Sequence, residues 1–324
     1  DLLQIPTGEV AVAYVQPEGK SAGLVGLVDY GESGPIIDKL LDKADEALAQ
    51  EGVVRTLEEV EGTEITVYRF KQDGDADGDQ AAEANDDSFG STLAYFIKDN
   101  YLVAGSNLPV LEAVLVRWDG NDANTFAGDE IYRYVMDRTR SADTEPLVKF
   151  YVDPIGLVTQ LVGNFTQDPN IQMATAFLPV LGLSNLKAIG GTFDMATGEY
   201  DSVTRVLAYV EQPATGLLNV LHFPETEQAP PDWVGADVNT YFGLNWDVQA
   251  AYQAVETLID TFQGPGGLEQ LLDEMAEQDG GLQLHLKKDV LDQLTGTIHF
   301  VSDMEDPNVA ESGRFAIALG VKDS

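Results

Sequence analysis

Apolar residues in this chain lie in short segments of two kinds, and this alternation constrains the fold more than any other feature. In some segments every second residue is apolar, as in a strand, and in others apolar residues recur at every third or fourth position, as in a helix. The segments 9–15 and 22–30, separated by Pro17-Glu18-Gly19, predict a β-hairpin, and a helix is predicted at 36–50. Hairpins mixed with helices predict an α+β fold with mostly antiparallel sheets and packed helices.

The same two spacings continue to the end of the chain. Asp99-Asn100 suits a tight hairpin turn, and Trp246-Asp247 reads as a core aromatic residue followed by a helix N-cap. Further strands are predicted at 53–57, 64–70, 91–98, 101–105, 147–152, 186–194, 200–211, 237–245, 297–302 and 314–321. Further helices are predicted at 108–118, 128–139, 155–165, 171–181, 216–222, 247–262, 268–276 and 288–294.

The two ends of the chain share one order of features. Residues 1–30 and 289–322 both contain an amphipathic segment that begins with Asp, a Thr-Gly pair, a strand, a polar loop with Pro and Glu, and a second strand. The Thr-Gly pairs are Thr7-Gly8 and Thr295-Gly296. We interpret the ends as copies of one repeated module; two ordinary hairpins are the alternative.

The repeat predicts a domain organisation. Residues 1–223 are assigned to α+β modules with an acidic loop at 71–88, residues 224–235 to a linker, and residues 236–324 to the truncated start of a second copy. The first copy lacks the strand and helices that precede the second, and the second lacks the helix and strands that follow the first. The expectation is therefore a middle section of a longer modular chain, with any leader or anchor outside it.

The acidity of the chain limits its partners. Its formal charge is −37, from 55 acidic and 18 basic residues, so its surface repels nucleic-acid phosphates and anionic membranes. One interpretation is a solvated surface adapted to a salty exterior, and the other is cation binding by clustered carboxylates. We favour the first, because the acidic residues are spread over the whole chain.

Two further absences in the sequence exclude classes of site. The chain has no Cys, which removes disulfides, thiolate catalysis and Cys-ligated metal centres. Its longest apolar runs, such as 23–28 and 177–183, are too short to cross a bilayer, so no transmembrane segment is predicted.

One acidic segment matches half of a calcium-binding loop. Asp73, Asp75 and Asp77, followed by Gly78, place carboxylates at alternate positions before a glycine, as a hard cation requires. The second half of the loop fails, because the twelfth position is alanine and Glu83 falls one residue early. A solvated acidic loop is the favoured interpretation; Asp73, Asp75, Asp77 and Glu83 are the calcium ligands to test.

Catalytic motifs are missing from the sequence. His222, His285 and His299 show no metal-ligand spacing, and we interpret them as packed or surface residues. There is no G-x-S-x-G nucleophile elbow, no phosphate-binding glycine motif and no aromatic cluster beside paired acids. A catalytic site assembled from distant residues stays open as an alternative, since triads and carboxylate pairs assemble in this way.

The segment WVGADVNTYFGLNWDVQAAYQAVETLID, followed by LTGTIHF, resembles an uncharacterised family of exported bacterial proteins, notably from planctomycetes and their relatives. Residues 24–152 are similar to the same family in their hairpins and in the ITVYRF and KFYVDP strands. The resemblance implies repeated α+β units and an envelope or extracellular location, and it brings no catalytic residues.

Together these patterns favour a non-enzymatic exported structural or interaction protein, located outside the cell, at its surface or in the periplasm. Its expected partners are other protein subunits or copies of itself, in a surface assembly or fibre. The alternatives are an extracellular module that binds calcium or another ligand, and a hydrolase with a spatially assembled acidic site.

Overall fold

The structure is a computed structural model, and it describes residues 8–70, 90–120, 125–142, 144–165, 175, 177–195, 200–226, 229–277, 284–304 and 312–322. The fold is α+β, with three antiparallel sheets and packed helices, as the sequence predicts. The chain divides into two units, Asp1–Thr125 and Phe126–Ser324.

The first unit contains a six-stranded antiparallel sheet with the strand order β1-β2-β6-β5-β4-β3. Its elements are β1 (Val10–Val15), β2 (Gly23–Asp29), α1 (Gly34–Gln50), β3 (Val54–Val60), β4 (Thr63–Arg69), β5 (Thr92–Lys98), β6 (Tyr101–Gly105) and α2 (Leu108–Arg117). The predicted Asp99-Asn100 turn is confirmed: both residues have positive φ, and Lys98 pairs with Tyr101 across it.

The core of the first unit lies between one sheet face and α2. The fully buried side chains on the strands meet two leucines of the helix, and together they are Ile65, Val67, Ala94, Phe96, Val103, Leu111 and Leu115. Asn107 fixes the start of α2, because its Oδ1 accepts from the Val110 amide at 3.1 Å and its Nδ2 donates to the Ala22 carbonyl at 3.0 Å.

The second unit contains two three-stranded antiparallel sheets, β7-β8-β9 and β10-β11-β12. Its strands are β7 (Val148–Val152), β8 (Leu186–Met195), β9 (Ser202–Val210), β10 (Thr240–Asn245), β11 (Leu294–Met304) and β12 (Gly313–Val321). Its α-helices are α3 (Glu130–Thr139), α4 (Pro154–Phe165), α5 (Val248–Gln263) and α6 (Gly267–Glu277), with short 3₁₀ or π turns at Phe126–Gly128, Leu183–Asn185, Gly216–Leu221, Leu286–Val290 and Leu291–Gln293.

The two sheets of the second unit share one topology. In each, a strand leads into a helix and the chain then returns as a hairpin, whose first strand pairs with the opening strand. The helix starts are also alike: Asp153 Oδ1 accepts from the Gly156 amide and Asp247 Oδ1 accepts from the Ala250 amide, both at 2.9 Å. The N-cap predicted at Asp247 is thereby confirmed.

The strand registers extend this likeness to the hairpin of the first unit. In β11, Ile298 lies two positions after Gly296 and pairs with Leu319. In β1, Val10 lies two positions after Gly8 and pairs with Val28. Directly opposed residues in antiparallel strands point to the same face. Counted from these glycines, Val10 and Val12 of β1 correspond to Ile298 and Phe300 of β11.

Three sequence predictions differ from the structure. Residues 177–181 of the predicted helix 171–181 form hydrogen-bonded turns, because Pro179 lacks an amide donor and Gly182 has a φ of +75°; residues 171–174 and 176 lie outside the described part. The strand predicted at 237–245 begins only at Thr240, and the segment 288–294 is a π turn followed by a 3₁₀ turn.

The division at Thr125 also falls inside the range that the sequence assigned to the first modules. The segment after β9 is tied to the start of α5, because the Asp247 amide donates to the His222 carbonyl at 3.0 Å and Trp246 Nε1 donates to the Val220 carbonyl at 2.6 Å. The linker at 224–235 and the truncated copy at 236–324 stay predictions.

Candidate functional site

The predicted calcium ligands Asp73, Asp75, Asp77 and Glu83 lie outside the described residues. Among the residues that the structure does describe, no three His, Asp or Glu side chains are grouped so as to hold a metal ion. The calcium loop therefore stays a prediction from the sequence.

A polar groove of about 450 Å³ lies between the Gly216–Leu221 turn and the first half of α5. Its lining residues include Asn219, His222, Asp247, Gln253 and Thr257. His222 Nδ1 is 3.2 Å from Asp247 Oδ2, while Asp247 Oδ1 caps the helix. The histidine is thus oriented by a carboxylate that is itself fixed by a helix start.

The charge of Asp247 follows from this geometry. The hydrogen bond from the Ala250 amide lowers the pKa of the Asp247 carboxyl below its ordinary value, and His222 contributes further, although partial burial opposes both. The pair can bind a polar ligand or accept a proton at His222. Sequence reasoning missed it, because the two residues are 25 positions apart and neither lies in a recognisable motif.

The other two histidines are placed as the sequence suggested, packed or near the surface. His299 Nδ1 lies 2.9 Å from the Tyr241 hydroxyl, and Trp233 meets the His299 ring edge-on. His285 Nε2 lies 3.3 Å from Asp273 Oδ1. The His299 ring is thus fixed by two aromatic neighbours, whereas His285 Nε2 is buried near a carboxylate without a hydrogen bond in the described part of the structure.

A further feature of the described residues is an apolar sheet face in the second unit, with exposed side chains on β10 and β12 and half-buried ones on the central strand β11. We call it the apolar face, and it comprises Phe242, Leu244, Ile298, Phe300, Phe315, Ile317 and Leu319. Phe315 is 74% exposed and Ile317 is 61% exposed, and Phe300 stacks on Phe315 at 6.3 Å. Contiguous apolar side chains of this kind mark interaction surfaces on soluble proteins.

The equivalent face of the first hairpin is also exposed. Val10 and Val12 of β1 are 65% and 74% exposed. By strand register they occupy the positions that Ile298 and Phe300 hold in β11. Both hairpins therefore carry exposed apolar side chains on this side among the described residues, on β1 in the first hairpin and on β12 in the last.

The edges of the sheets differ in how they are protected. Edge strands of natural proteins commonly carry charged residues that prevent pairing with another chain. β3 follows this rule with Arg55, Glu58 and Glu59, whereas β1 has the sequence VAVAYV and carries no charge. β12 has one charged residue, Arg314, which is paired with Asp303 at 2.9 Å.

Sequence reasoning did not find the apolar face. The alternation in FAIALGV predicted a strand, but alternation alone does not say whether the apolar side is covered. The signal that could have raised the question is the scarcity of charge on β1 and β12 in a chain of charge −37.

Comparisons with protein-family models, with curated proteins and with solved structures give no match to this chain. The resemblance to exported planctomycete proteins stays a prediction from the sequence. No helix among the described residues is long and apolar enough to cross a membrane.

Proposed function

We propose that this protein is a non-enzymatic structural or interaction protein whose copies associate through their sheets. The observation that carries the proposal is the apolar face together with its counterpart on the first hairpin. Fully burying one large aliphatic or aromatic side chain stabilises a complex by roughly 1.5–3 kcal/mol. Contact with several side chains of the apolar face can therefore supply the affinity of a specific interface.

A second copy of the chain fits this surface better than an unrelated partner. The exposed apolar positions occur on two equivalent hairpins of the same chain, so one kind of contact can be made more than once per molecule. Proteins built from repeated modules bury their open faces against neighbouring modules. Association of copies extends that arrangement beyond one chain.

An exported location is part of the same proposal. The acidic residues are spread along the chain, and self-repulsion of this kind is screened in a salty exterior. A chain without Cys also needs neither a reducing nor an oxidising compartment. Fractionation of the native cells tests the location, and recovery of the protein only from the cytoplasm would contradict it.

Light scattering after size-exclusion chromatography tests association directly. The purified chain is run over a range of protein concentrations at high salt, and the same samples are imaged by negative-stain electron microscopy. We expect masses above 35.1 kDa that grow with concentration, and extended or regular assemblies in the images. A constant monomer mass at high concentration would refute the proposal.

The polar groove supports a second candidate function, hydrolysis of a small polar substrate with His222 as a general base that Asp247 orients. The observation that favours it is the 3.2 Å contact between His222 Nδ1 and Asp247 Oδ2 at the groove wall. Chromogenic esters and glycosides provide the assay. Turnover that disappears in His222→Asn supports this candidate, and turnover equal in wild type and variant contradicts it.

A further inference from the structure

A cavity of about 210 Å³ lies on the face of α5 opposite the polar groove, and we call it the apolar cavity. Its lining residues on α5 follow the i, i+3, i+4, i+7 spacing of one helix face, and they are Val248, Ala251, Tyr252 and Val255. Leu268 and Leu272 of α6 line it as well. The cavity is therefore an unfilled space within the apolar contact between α5 and α6.

The remaining walls turn their polar atoms towards one another rather than into the cavity. Trp246 Nε1 donates to the Val220 carbonyl at 2.6 Å, and Gln249 Nε2 donates to the Leu291 carbonyl at 3.4 Å. The lining of the cavity is consequently wholly apolar. Leu286 also lines it and is 44% exposed, so the cavity reaches the surface of the second unit at this residue.

A space of this size and chemistry suits a small apolar group better than it suits water. Protein interiors are close-packed, and voids larger than a water molecule are few. Ordered water needs two to four polar partners, which an apolar lining does not supply, whereas an apolar cavity of about 150 Å³ takes up benzene. The apolar cavity thus has room for an aromatic ring with a short alkyl chain.

The aromatic walls of the cavity favour a ligand that also carries a positive charge. The rings of Trp246 and Tyr252 belong to the lining, and the faces of such rings attract ammonium groups. Tyr252 already has one cation beside it, since Lys287 Nζ lies 5.2 Å from the centre of its ring and 3.3 Å from Asp292 Oδ2.

Carboxylates around the same tyrosine act in the same direction. Burial raises the pKa of the Tyr252 hydroxyl, and the charges of Glu256, Glu269 and Asp292 raise it further. Lys288 Nζ lies 4.0 Å from Glu269, whereas Glu256 forms a hydrogen bond with the tyrosine hydroxyl. Negative charge therefore acts on a residue of the lining itself, and the carboxylate of Glu256 is placed to meet a ligand cation.

We propose that the apolar cavity binds a small organic ammonium ion, whose apolar body fills the cavity and whose charge meets Glu256 at its edge. The apolar lining selects the body of the ligand and disfavours a bare metal ion. The aromatic rings and the carboxylates select its charge and disfavour an anion. This site goes beyond association of copies, and either proposal can fail while the other stands.

Three probes with nearly the same apolar body test the proposal on the full chain: 2-phenylethylammonium, 2-phenylethanol and phenylacetate. Isothermal titration calorimetry is run at about 0.15 M salt, where general attraction to an acidic surface is largely screened beyond about 8 Å. We expect the cation to bind one-to-one, the alcohol to bind more weakly, and the anion to bind at least about tenfold more weakly than the cation. No binding of the cation, or an alcohol that binds as tightly as the cation, would overturn the proposal.

Variants separate the cavity from the overall charge of the protein. Ala251→Leu places extra atoms in the cavity, and Glu256→Gln removes the carboxylate charge while keeping the shape of the side chain. Glu274→Gln is the matched control, because Glu274 is an exposed residue of α6 whose Oε1 lies 3.1 Å from Gln270 Nε2. Each glutamate substitution changes the net charge equally, from −37 to −36.

The affinity for 2-phenylethylammonium should respond differently to each substitution, and thermal melting confirms that each variant is folded. We expect Ala251→Leu to abolish binding, Glu256→Gln to weaken it about twofold to fivefold, and Glu274→Gln to leave it unchanged. Equal weakening by the two glutamate substitutions would mean that only the overall charge attracts the cation, and it would overturn the proposal.

Methyl NMR spectra of the wild-type chain locate the ligand without relying on any variant. The cation should shift the methyl signals of Val255, Leu268 and Leu272. It should leave those of Val103 and Leu111, in the core of the first unit, unchanged. Methyl shifts that leave out Val255, Leu268 and Leu272 would overturn the proposal even if the calorimeter detects binding.

Discussion

The carboxylate of Asp194 in β8 provides the sharpest test of what holds the second unit together. Its side chain is completely buried, and Arg205 Nη1 of β9 donates to its Oδ2 at 2.7 Å. The Thr144 hydroxyl donates to the other oxygen at 3.1 Å. Arg205→Met keeps a long apolar side chain at the position but leaves the buried charge with the Thr144 hydroxyl as its one side-chain partner among the described residues.

The size of the loss follows from the burial of the pair. Removing one partner of a buried ion pair costs about 3–5 kcal/mol, because the remaining charge is left uncompensated in a poorly polarisable interior. Arg205 is 35% exposed, so water screens part of the interaction and the lower value, about 3 kcal/mol, applies. In a unit of this size that corresponds to a decrease of roughly 6–12 °C in Tm.

Urea denaturation followed by circular dichroism measures the effect, and two variants control it. Arg140→Met removes an exposed ion pair with Glu145, whose side chains are 61% and 73% exposed, and should cost less than about 1 kcal/mol. The double variant Asp194→Asn with Arg205→Met removes both charges and should regain most of the loss. Equal losses for Arg205→Met and Arg140→Met would refute the reasoning.

Three further predictions concern other parts of the chain. The pKa of the Asp247 carboxyl is lower in the folded state than its unfolded value of about 3.9, so the stability that the carboxylate contributes is present above the unfolded pKa and is lost as the pH falls through the folded pKa. Asp247→Ala should cost about 1 kcal/mol of folding stability at pH 7. Asp247→Asn should keep the helix cap but make the folding stability less dependent on pH in acid. Gly296→Ala should lower the stability of the fold more than Gly19→Ala. Both glycines have positive φ, but of the two only Gly296 lies so close to the Trp246 carbonyl oxygen that a new Cβ would clash with it. Thermal melts of the two variants compare the losses. Calcium binding at the loop around Asp73 should raise Tm on titration with calcium, and an unchanged Tm would contradict it.

Local structure was the part of the fold that the sequence could predict. Hairpins and helices depend on residues close together in the chain, such as Asp99-Asn100 at a turn or Asp247 before a helix. The strand order could not be predicted in the same way. β2 lies beside β6, about 75 residues further on, and nothing in either strand identifies the other as its partner.

The candidate sites were less predictable than the fold, for two physical reasons. His222 and Asp247 meet only because the segment after β9 folds back on α5, and Asp194 is buried only because α3 covers its sheet. Exposure of an apolar strand face depends on whether another element covers it. Alternation in β12 is compatible with both outcomes, so the sequence could not distinguish a covered strand from an exposed one.

Two opposing forces decide whether copies of the chain associate as proposed. The apolar side chains on β1 and β12 favour contact between copies, while a charge of −37 on each copy opposes it. Salt acts on only one of them, since the Debye length falls from about 30 Å at 0.01 M to about 3 Å at 1 M. We therefore expect the chain to be monomeric at low salt and associated at high salt, as light scattering across a sodium chloride series would show. Association that weakens as salt rises would mean that ion pairs hold the copies together, and it would contradict association through apolar side chains.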